Sequence, residues 1–173
     1  TIPFGLALAA LITGRLSPTL LGTLRTSMLA PWTFLTVAVV LGGWWAYEVL
    51  GWGGYWAWDP VENASLLPWL TGTAAVHSAI LTERRGVLKG WTLSLVIASF
   101  LLTILGTFMT RSGIFNSVHA FSQSDIGPTI LAFLGLCTLA SVLLLGFRVD
   151  LLKPDNELDR GASRDTAFLA QNL

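Results

Sequence analysis

Long apolar runs are the feature that most limits what this chain can form. Four of them cover about 30–48, 60–81, 90–110 and 127–147, and each has the length of one membrane-crossing helix, about 20 residues. A backbone inside lipid finds no water to bond, so helices are the expected arrangement. The sequence therefore predicts an all-α fold, a polytopic helical membrane protein.

Composition supports this prediction. Hydrophobic residues make up 53% of the chain and charged residues 12%, against roughly 25% charged residues in soluble domains. Residues 1–12 are also apolar but supply only part of a span, and nothing around them resembles a secretory signal. We therefore expect an N-terminally truncated membrane domain over 1–154, belonging to a longer protein. The polar segment 155–173 is expected to be a cytoplasmic tail or linker.

The distribution of basic residues predicts the orientation in the membrane. Three connections, at 13–29, at 82–89 and after 147, carry nearly all the basic side chains, whereas 49–59 carries none and 111–126 carries only Arg111. Basic connections remain in the cytoplasm. The Trp-rich connection and His119 should then face the periplasm, across a cell inner membrane or the equivalent membrane of an organelle.

Charge and cysteine content exclude several functions. Net charge is zero and no basic stripe or nucleic-acid motif is present, so nucleic acid is not an expected partner. The single cysteine, Cys137, cannot form an internal disulfide, and no CxxC or CxxCH pair exists. The chain is therefore not expected to carry haem covalently or to act as a dithiol reductant.

The segment 42–58 is unusually rich in tryptophan, tyrosine and glycine. An aromatic belt at the membrane surface explains two or three such residues. Glycine permits close backbone approach and indoles supply rigid apolar faces, so the segment also suits a large planar ligand such as a porphyrin. Composition alone leaves both interpretations open. The aromatic residues are Trp44, Trp45, Tyr47, Trp52, Tyr55, Trp56 and Trp58, and glycines stand at 42, 43, 51, 53 and 54.

The next helix has a clear start signal. Asp59 is a favoured N-cap, Pro60 suits the first turn, and Glu62 completes a capping box. Capping by itself accounts for both acidic residues. A loop attached to such a start would also be preorganised for binding.

Residues 52–65, WGGYWAWDPVENAS, closely resemble the tryptophan-rich WWD signature of the haem-handling proteins. That family includes haem delivery proteins, system II cytochrome c synthases and the CcmF haem lyase subunits. The ending at 62–65 resembles the CcmF group, as do the segments 110–113, 117–121 and 163–172. The resemblance covers most of the chain from about Trp44 onward.

The resemblance implies two haem sites. At the outer site, substrate haem would lie against the Trp-rich loop with His119 as an axial iron ligand. At the inner site, His77 would be a ligand of a buried haem b. The second ligand of each haem is not in this chain, which has only two histidines. The residues implied for binding at the outer site are Trp52, Gly53, Gly54, Tyr55, Trp56, Trp58, Asp59 and Arg111.

Simpler interpretations remain for three of these residues. His77 lies 17 residues after Pro60, deep in the membrane, where a neutral imidazole can bond a neighbouring helix. His119 can be a polar residue of a surface segment. Arg111 suits a haem propionate, but its guanidinium can equally reach lipid headgroups.

The implied function is that of a cytochrome c haem lyase component. Such a subunit takes haem from a haem chaperone and presents it to the CxxCH thiols of apocytochrome c, beside other maturation subunits in the bilayer. No residue resembles a dedicated acid or base, so no catalytic residue is assigned. Two alternatives stay open: a haem exporter or delivery protein without ligation activity, and a quinol-linked membrane subunit that transfers electrons through b haems.

Overall fold

A computed structural model describes residues 1–49, 54–114 and 125–153. Five α-helices and one short 3-10 helix occupy these ranges, and the described residues contain no strand. The helices are α1 (Ile2–Thr13), α2 (Pro18–Val49), α3 (Pro60–Arg85), α4 (Lys89–Arg111) and α5 (Gly127–Phe147), and the 3-10 turn is Val149–Leu152. Four of them, α2 to α5, are long and apolar enough to cross a membrane. The predicted polytopic all-α fold is confirmed.

The beginning of α2 differs from the prediction. The helix begins at Pro18, so the connection expected at 13–29 is mostly helical and Arg25 lies on a helix. Threonines lower the hydropathy here, but their hydroxyls bond carbonyls of the preceding turn, as Thr23 does to Thr19 at 2.9 Å. Arg25 is also paired, because its Nε lies 2.8 Å from the Glu83 carboxylate of α3. The polar residues at the start of α2 are the reason that the predicted span omits about three turns of this helix.

The helices alternate in direction and form one bundle. Helix α3 packs between α2 and α4, α5 packs on α4, and α1 contacts α2, α4 and α5. The last turns of α2 and α4 and the first turns of α3 and α5 thus meet at one end, called here the loop end. The buried core between the helices consists of small and aliphatic residues: Ala7, Leu11, Leu24, Met28, Ala75, Leu93, Leu95, Val96 and Ile97.

Two reciprocal hydrogen bonds join α2 to α3. Trp32 Nε1 donates to Thr73 Oγ1 at 2.8 Å, and Trp69 Nε1 donates to Thr36 Oγ1 at 2.9 Å. Each threonine hydroxyl then donates to the carbonyl of the tryptophan on its own helix, at 2.8 Å in both cases. The two indoles stack with their centroids 6.5 Å apart. We call these four residues the Trp–Thr clasp, and it fixes the register of α2 on α3.

Helices α3 and α4 meet through a buried hydroxyl cluster and a close backbone contact. Thr92 Oγ1 lies 2.6 Å from Ser78 Oγ and 2.7 Å from Thr82 Oγ1. Nearer the loop end, Pro68 cannot bond the carbonyl of Ala64, one turn earlier in α3. Gly106 of α4 packs against that carbonyl, since a Cβ added to the glycine would lie 3.3 Å from the oxygen. The glycine therefore allows the two backbones to approach closely, and a side chain at this position would have to push them apart by a few tenths of an ångström.

At the opposite end of the bundle, α5 closes onto α1. Arg148, directly after α5, donates from Nε to the Leu11 carbonyl and from a terminal nitrogen to the Ile12 carbonyl, both at 2.8 Å. These carbonyls belong to the last turn of α1, where no further helical donor is available. Arg148 therefore caps the C-terminus of α1.

Candidate functional site

The helix start predicted at Asp59 is confirmed, and its bonds reach back into the loop. The Asp59 carboxylate accepts from Val61 N at 3.0 Å, and the reciprocal capping box with Glu62 is complete. Glu62 Oε2 accepts from Asp59 N at 3.3 Å and from Ala57 N at 2.8 Å. The Glu62 side chain is therefore bonded both to the cap and to the loop before it.

The described part of the Trp-rich loop, residues 54–59, arranges its aromatic rings in two pairs. Trp56 and Trp58 form an edge-to-face pair with centroids 6.4 Å apart and planes at 85°. Tyr55 stacks on Tyr47 of α2 with centroids 4.3 Å apart. Trp58 is 72% exposed and Tyr55 58% exposed. Large apolar faces therefore stand open at the loop end.

Several aromatic residues assigned to the loop are in fact helical. Trp44, Trp45 and Tyr47 lie in the last turns of α2, which continues to Val49. Gly43, just before these residues, serves close packing. A Cβ at Gly43 would lie 3.0 Å from the Tyr55 carbonyl oxygen, so the loop folds directly onto the helix there.

A cavity of about 190 Å³ lies between the end of α2, the loop and the start of α3. Pockets for drug-sized ligands are usually larger, about 300–1,000 Å³. The cavity among the described residues therefore has room for part of a large ligand and not for a whole one. Its lining combines aromatic rings and small residues around one buried carboxylate: Ala38, Val39, Gly42, Gly43, Trp45, Tyr55, Trp56, Val61, Glu62 and Ser65.

The structure brings together part of the predicted outer site. Gly54, Tyr55, Trp56, Trp58 and Asp59 are contiguous at the loop end. Arg111 lies in the exposed last turn of α4, at the same end. Trp52, Gly53 and His119 lie outside the described residues.

Trp45 and Gly43 were not among the residues implied for the outer site, but they line the cavity from α2. A signal was present, because both belong to the glycine and tryptophan run at 42–45. The run lies within the span predicted at 30–48, and its residues contribute to the cavity from the helix.

His77 lies apart from the loop, in the middle of α3. Its Nδ1 is 2.9 Å from the carbonyl oxygen of Thr73, one turn earlier, and the side chain is exposed on the bundle surface. A ring N–H at Nδ1 bonded to a carbonyl leaves Nε2 as the nitrogen with a lone pair. Within the described ranges, no three His, Cys, Asp or Glu residues gather as a metal site.

Together these features define a class: a polytopic α-helical membrane protein with an aromatic site at one end of its bundle and a histidine on the surface of one spanning helix. The profile of the cytochrome c assembly protein family matches residues 2–115. The chain belongs to this family.

Similar proteins place the chain among the CcmF-type members. It is 49% identical over 174 residues to the cytochrome c-type biogenesis protein CcmF of Pseudomonas aeruginosa, covering 100% of this chain and 26% of that protein. Identity to CcmF of Escherichia coli is 47% over 176 residues, covering 100% and 27%. The chain thus spans about a quarter of the length of these relatives.

A further relative and a solved structure show the same relationship. NrfE of Haemophilus influenzae is 49% identical over 124 residues, covering 72% of this chain and 20% of that protein. A solved structure of the cytochrome c heme lyase CcmF superposes with a TM-score of 0.70 and 40% identity, covering 87% of this chain and 24% of that one. The predicted resemblance to CcmF is confirmed.

Proposed function

We propose that this chain is the haem-handling part of a cytochrome c haem lyase subunit. It would take haem from a haem chaperone and hold it at the loop end for thioether attachment to the CxxCH thiols of apocytochrome c. The observation that carries the proposal is the aromatic site beside the cavity, in a chain 40% identical to a structure named as a heme lyase. Other maturation subunits would act beside it in the bilayer.

The described residues fit one side of a porphyrin. Trp56 and Trp58 offer two indole faces at right angles, one against the ring plane and one against its edge. The cavity beneath them has an apolar wall that includes Gly42, which has open space beside it for a flat group. Trp52, Gly53, Gly54, Tyr55 and Asp59 would complete the cradle.

Polar contacts to this substrate haem are proposed for two further residues. Arg111 would pair with a propionate, because a guanidinium binds a carboxylate through two parallel bonds. His119 would be an axial ligand of the iron. Holding ring and thiol together supplies most of what the attachment requires, so positioning rather than acid–base chemistry is the proposed contribution of this chain.

His77 is the proposed ligand of a resident haem b. Two observations support this proposal. The imidazole is exposed on a spanning helix, and its Nδ1 contact with the Thr73 carbonyl directs Nε2 away from that bond. An ionisable group on a membrane helix is costly without a partner. A haem bound there would supply one-electron reduction.

The proposed orientation places the loop end on the periplasmic side of a cell inner membrane, as the basic connections indicate. Arg84, Arg85 and Lys89 gather at the opposite end. An organelle inner membrane with the same polarity would serve equally.

The outer site is tested by Trp56→Leu with Trp58→Leu in the full-length protein. We expect loss of haem at this site, measured as haem per protein after purification, because both ring faces disappear. Trp91→Leu is the matched control, since Trp91 is 47% exposed at the start of α4, at the opposite end. Normal loading of the double variant would reduce the loop to an aromatic belt.

The inner site is tested by a reduced-minus-oxidised absorption spectrum of the full-length protein beside its His77→Ala variant. We expect a b-type α-band that the variant lacks. Leu70→Ala is the control, because Leu70 lies two turns away on the same side of α3 and is 50% exposed. Absence of this band from the parent protein would contradict a resident haem and would favour a delivery protein without ligation activity.

A further inference from the structure

Trp58 has an unusual backbone conformation for a bulky residue. Its φ is 58°, in the left-handed region, and Leu88 is the other non-glycine residue with positive φ among those described. An L-residue with a Cβ pays a penalty there, so the conformation persists only where its surroundings enforce it. The indole cannot enforce it, because it is 72% exposed.

The backbone around Trp58 is held from both sides by two residues of α3. Glu62 Oε2 accepts from the amide before Trp58, that of Ala57, at 2.8 Å, and from the amide after it, that of Asp59, at 3.3 Å. Asn63 Nδ2 donates to the carbonyl of Trp58 itself at 3.1 Å. The peptide group before Ala57 and the peptide group after Trp58 are therefore both tied to the first turn of α3.

Two of these bonds exceed what a helix start requires. A capping box needs the Glu62 bond to the amide of Asp59, whereas the shorter bond to Ala57 lies outside it. The Asn63 bond is also separate from capping. The other amide atom of Asn63, Oδ1, is buried and has no hydrogen-bond partner within the described ranges.

Burial strengthens the hold of Glu62. The residue is 9% exposed, and a carboxylate that accepts amide N–H groups makes charge-assisted bonds about twice as strong as neutral ones. It lies in the wall of the cavity beside Trp56. The strained residue and its edge-to-face partner thus share one anchor.

We infer that Glu62 and Asn63 are positioning residues that hold Trp58 in its strained conformation, so that its indole faces a flat aromatic ligand in one fixed orientation. This inference rests on the proposed function, which places a porphyrin at the loop end. The effect of Glu62 and Asn63 on haem passes through Trp58.

The test is a double-mutant cycle in the full-length protein, with haem retention measured by titration with haemin. Glu62→Ala and Trp58→Leu are each expected to weaken binding at the loop end by about tenfold, as when a group that orients a ligand-contacting residue is removed. The two together should weaken it little more than either alone, because both act through one indole. A purely structural Glu62 would give multiplied losses and would overturn the inference.

Three further variants keep the result interpretable. Glu62→Gln retains an acceptor oxygen and should rescue part of the binding. Asn63→Ala should cause a smaller loss of haemin affinity than Glu62→Ala. It replaces Glu62→Ala in the double-mutant cycle if that variant does not fold. Ser17→Ala removes the Ser17 Oγ contact at 3.2 Å to Leu20 N at the opposite end, and it should lower the melting temperature without changing haemin affinity.

The outcomes separate this inference from the proposed function. Unchanged haemin binding by Trp56→Leu with Trp58→Leu would overturn the loop site itself, whereas unchanged binding by Trp58→Leu alone would overturn the role of Trp58. Weakened binding by Trp58→Leu beside normal binding by both Glu62→Ala and Asn63→Ala would leave the site in place and overturn only the positioning role.

Discussion

Removing the two hydroxyls of the Trp–Thr clasp should loosen α2 from α3. Thr36→Val and Thr73→Val keep the side-chain shape and delete one acceptor each, so each leaves an indole N–H without its partner across the interface. An interhelical hydrogen bond in a membrane protein contributes about 0.6 kcal/mol on average and about 1.7 at most. Losing both bonds should therefore cost about 1–3 kcal/mol.

The two losses should not be independent. The indoles stack at 6.5 Å, and each threonine also bonds the carbonyl of the tryptophan on its own helix. Once one bond is gone, that indole can shift and weaken the second contact. The double variant should then cost less than the sum of the single variants, by about 0.5 kcal/mol or more, as for residues in one network.

Reversible unfolding of the full-length protein in detergent measures these costs. Thr107→Val is the matched control, because its hydroxyl is exposed and bonds a carbonyl of its own helix, that of Thr103, at 3.0 Å. We expect less than about 0.5 kcal/mol for this variant. Equal losses of unfolding free energy for Thr107→Val and Thr73→Val would contradict a stabilising role of the Trp–Thr clasp between α2 and α3.

Four other substitutions test the packing. Gly106→Val should destabilise the protein by about 1–3 kcal/mol through overpacking at the α3–α4 crossing. Gly135→Ala has open space around it and should stabilise the protein by up to about 1 kcal/mol through helix propensity. The melting temperatures of the two variants should therefore shift in opposite directions. Thr92→Val should cost about 1–3 kcal/mol because two buried hydroxyls lose a partner, and an unchanged midpoint would contradict this. Arg148→Ala should increase amide hydrogen exchange in the last turn of α1, with Lys153→Ala as the unaffected control.

Spans were the easiest part of the fold to predict. Residues 127–147 match α5 at both ends because that helix is continuously apolar. Helix α2 was placed about twelve residues late because its first turns are polar, and hydropathy does not record that hydroxyls and Arg25 find partners within the bundle. Sequence periodicity reports polarity, whereas tertiary contacts decide whether polarity is tolerated.

The site was predictable where its signals are local. The cap at Asp59 with Glu62 follows from spacing alone. The bond from Glu62 to Ala57 and the strained Trp58 depend on the path of the loop, which no spacing encodes. The Trp–Thr clasp is visible in the sequence as the pattern Trp-x-x-x-Thr, which occurs at 32–36 and again at 69–73. The pattern does not show that the two copies bond each other, because that depends on the pairing of α2 with α3.

The cap that Arg148 places on α1 has a consequence for the order of synthesis. The Leu11 carbonyl and its donor are 137 residues apart in the chain, and a ribosome makes them at about 5–20 residues per second. For roughly 7–27 seconds the end of α1 has no guanidinium to bond. Helix α1 is therefore capped only when α5 has emerged from the insertion machinery and delivers the arginine that follows it.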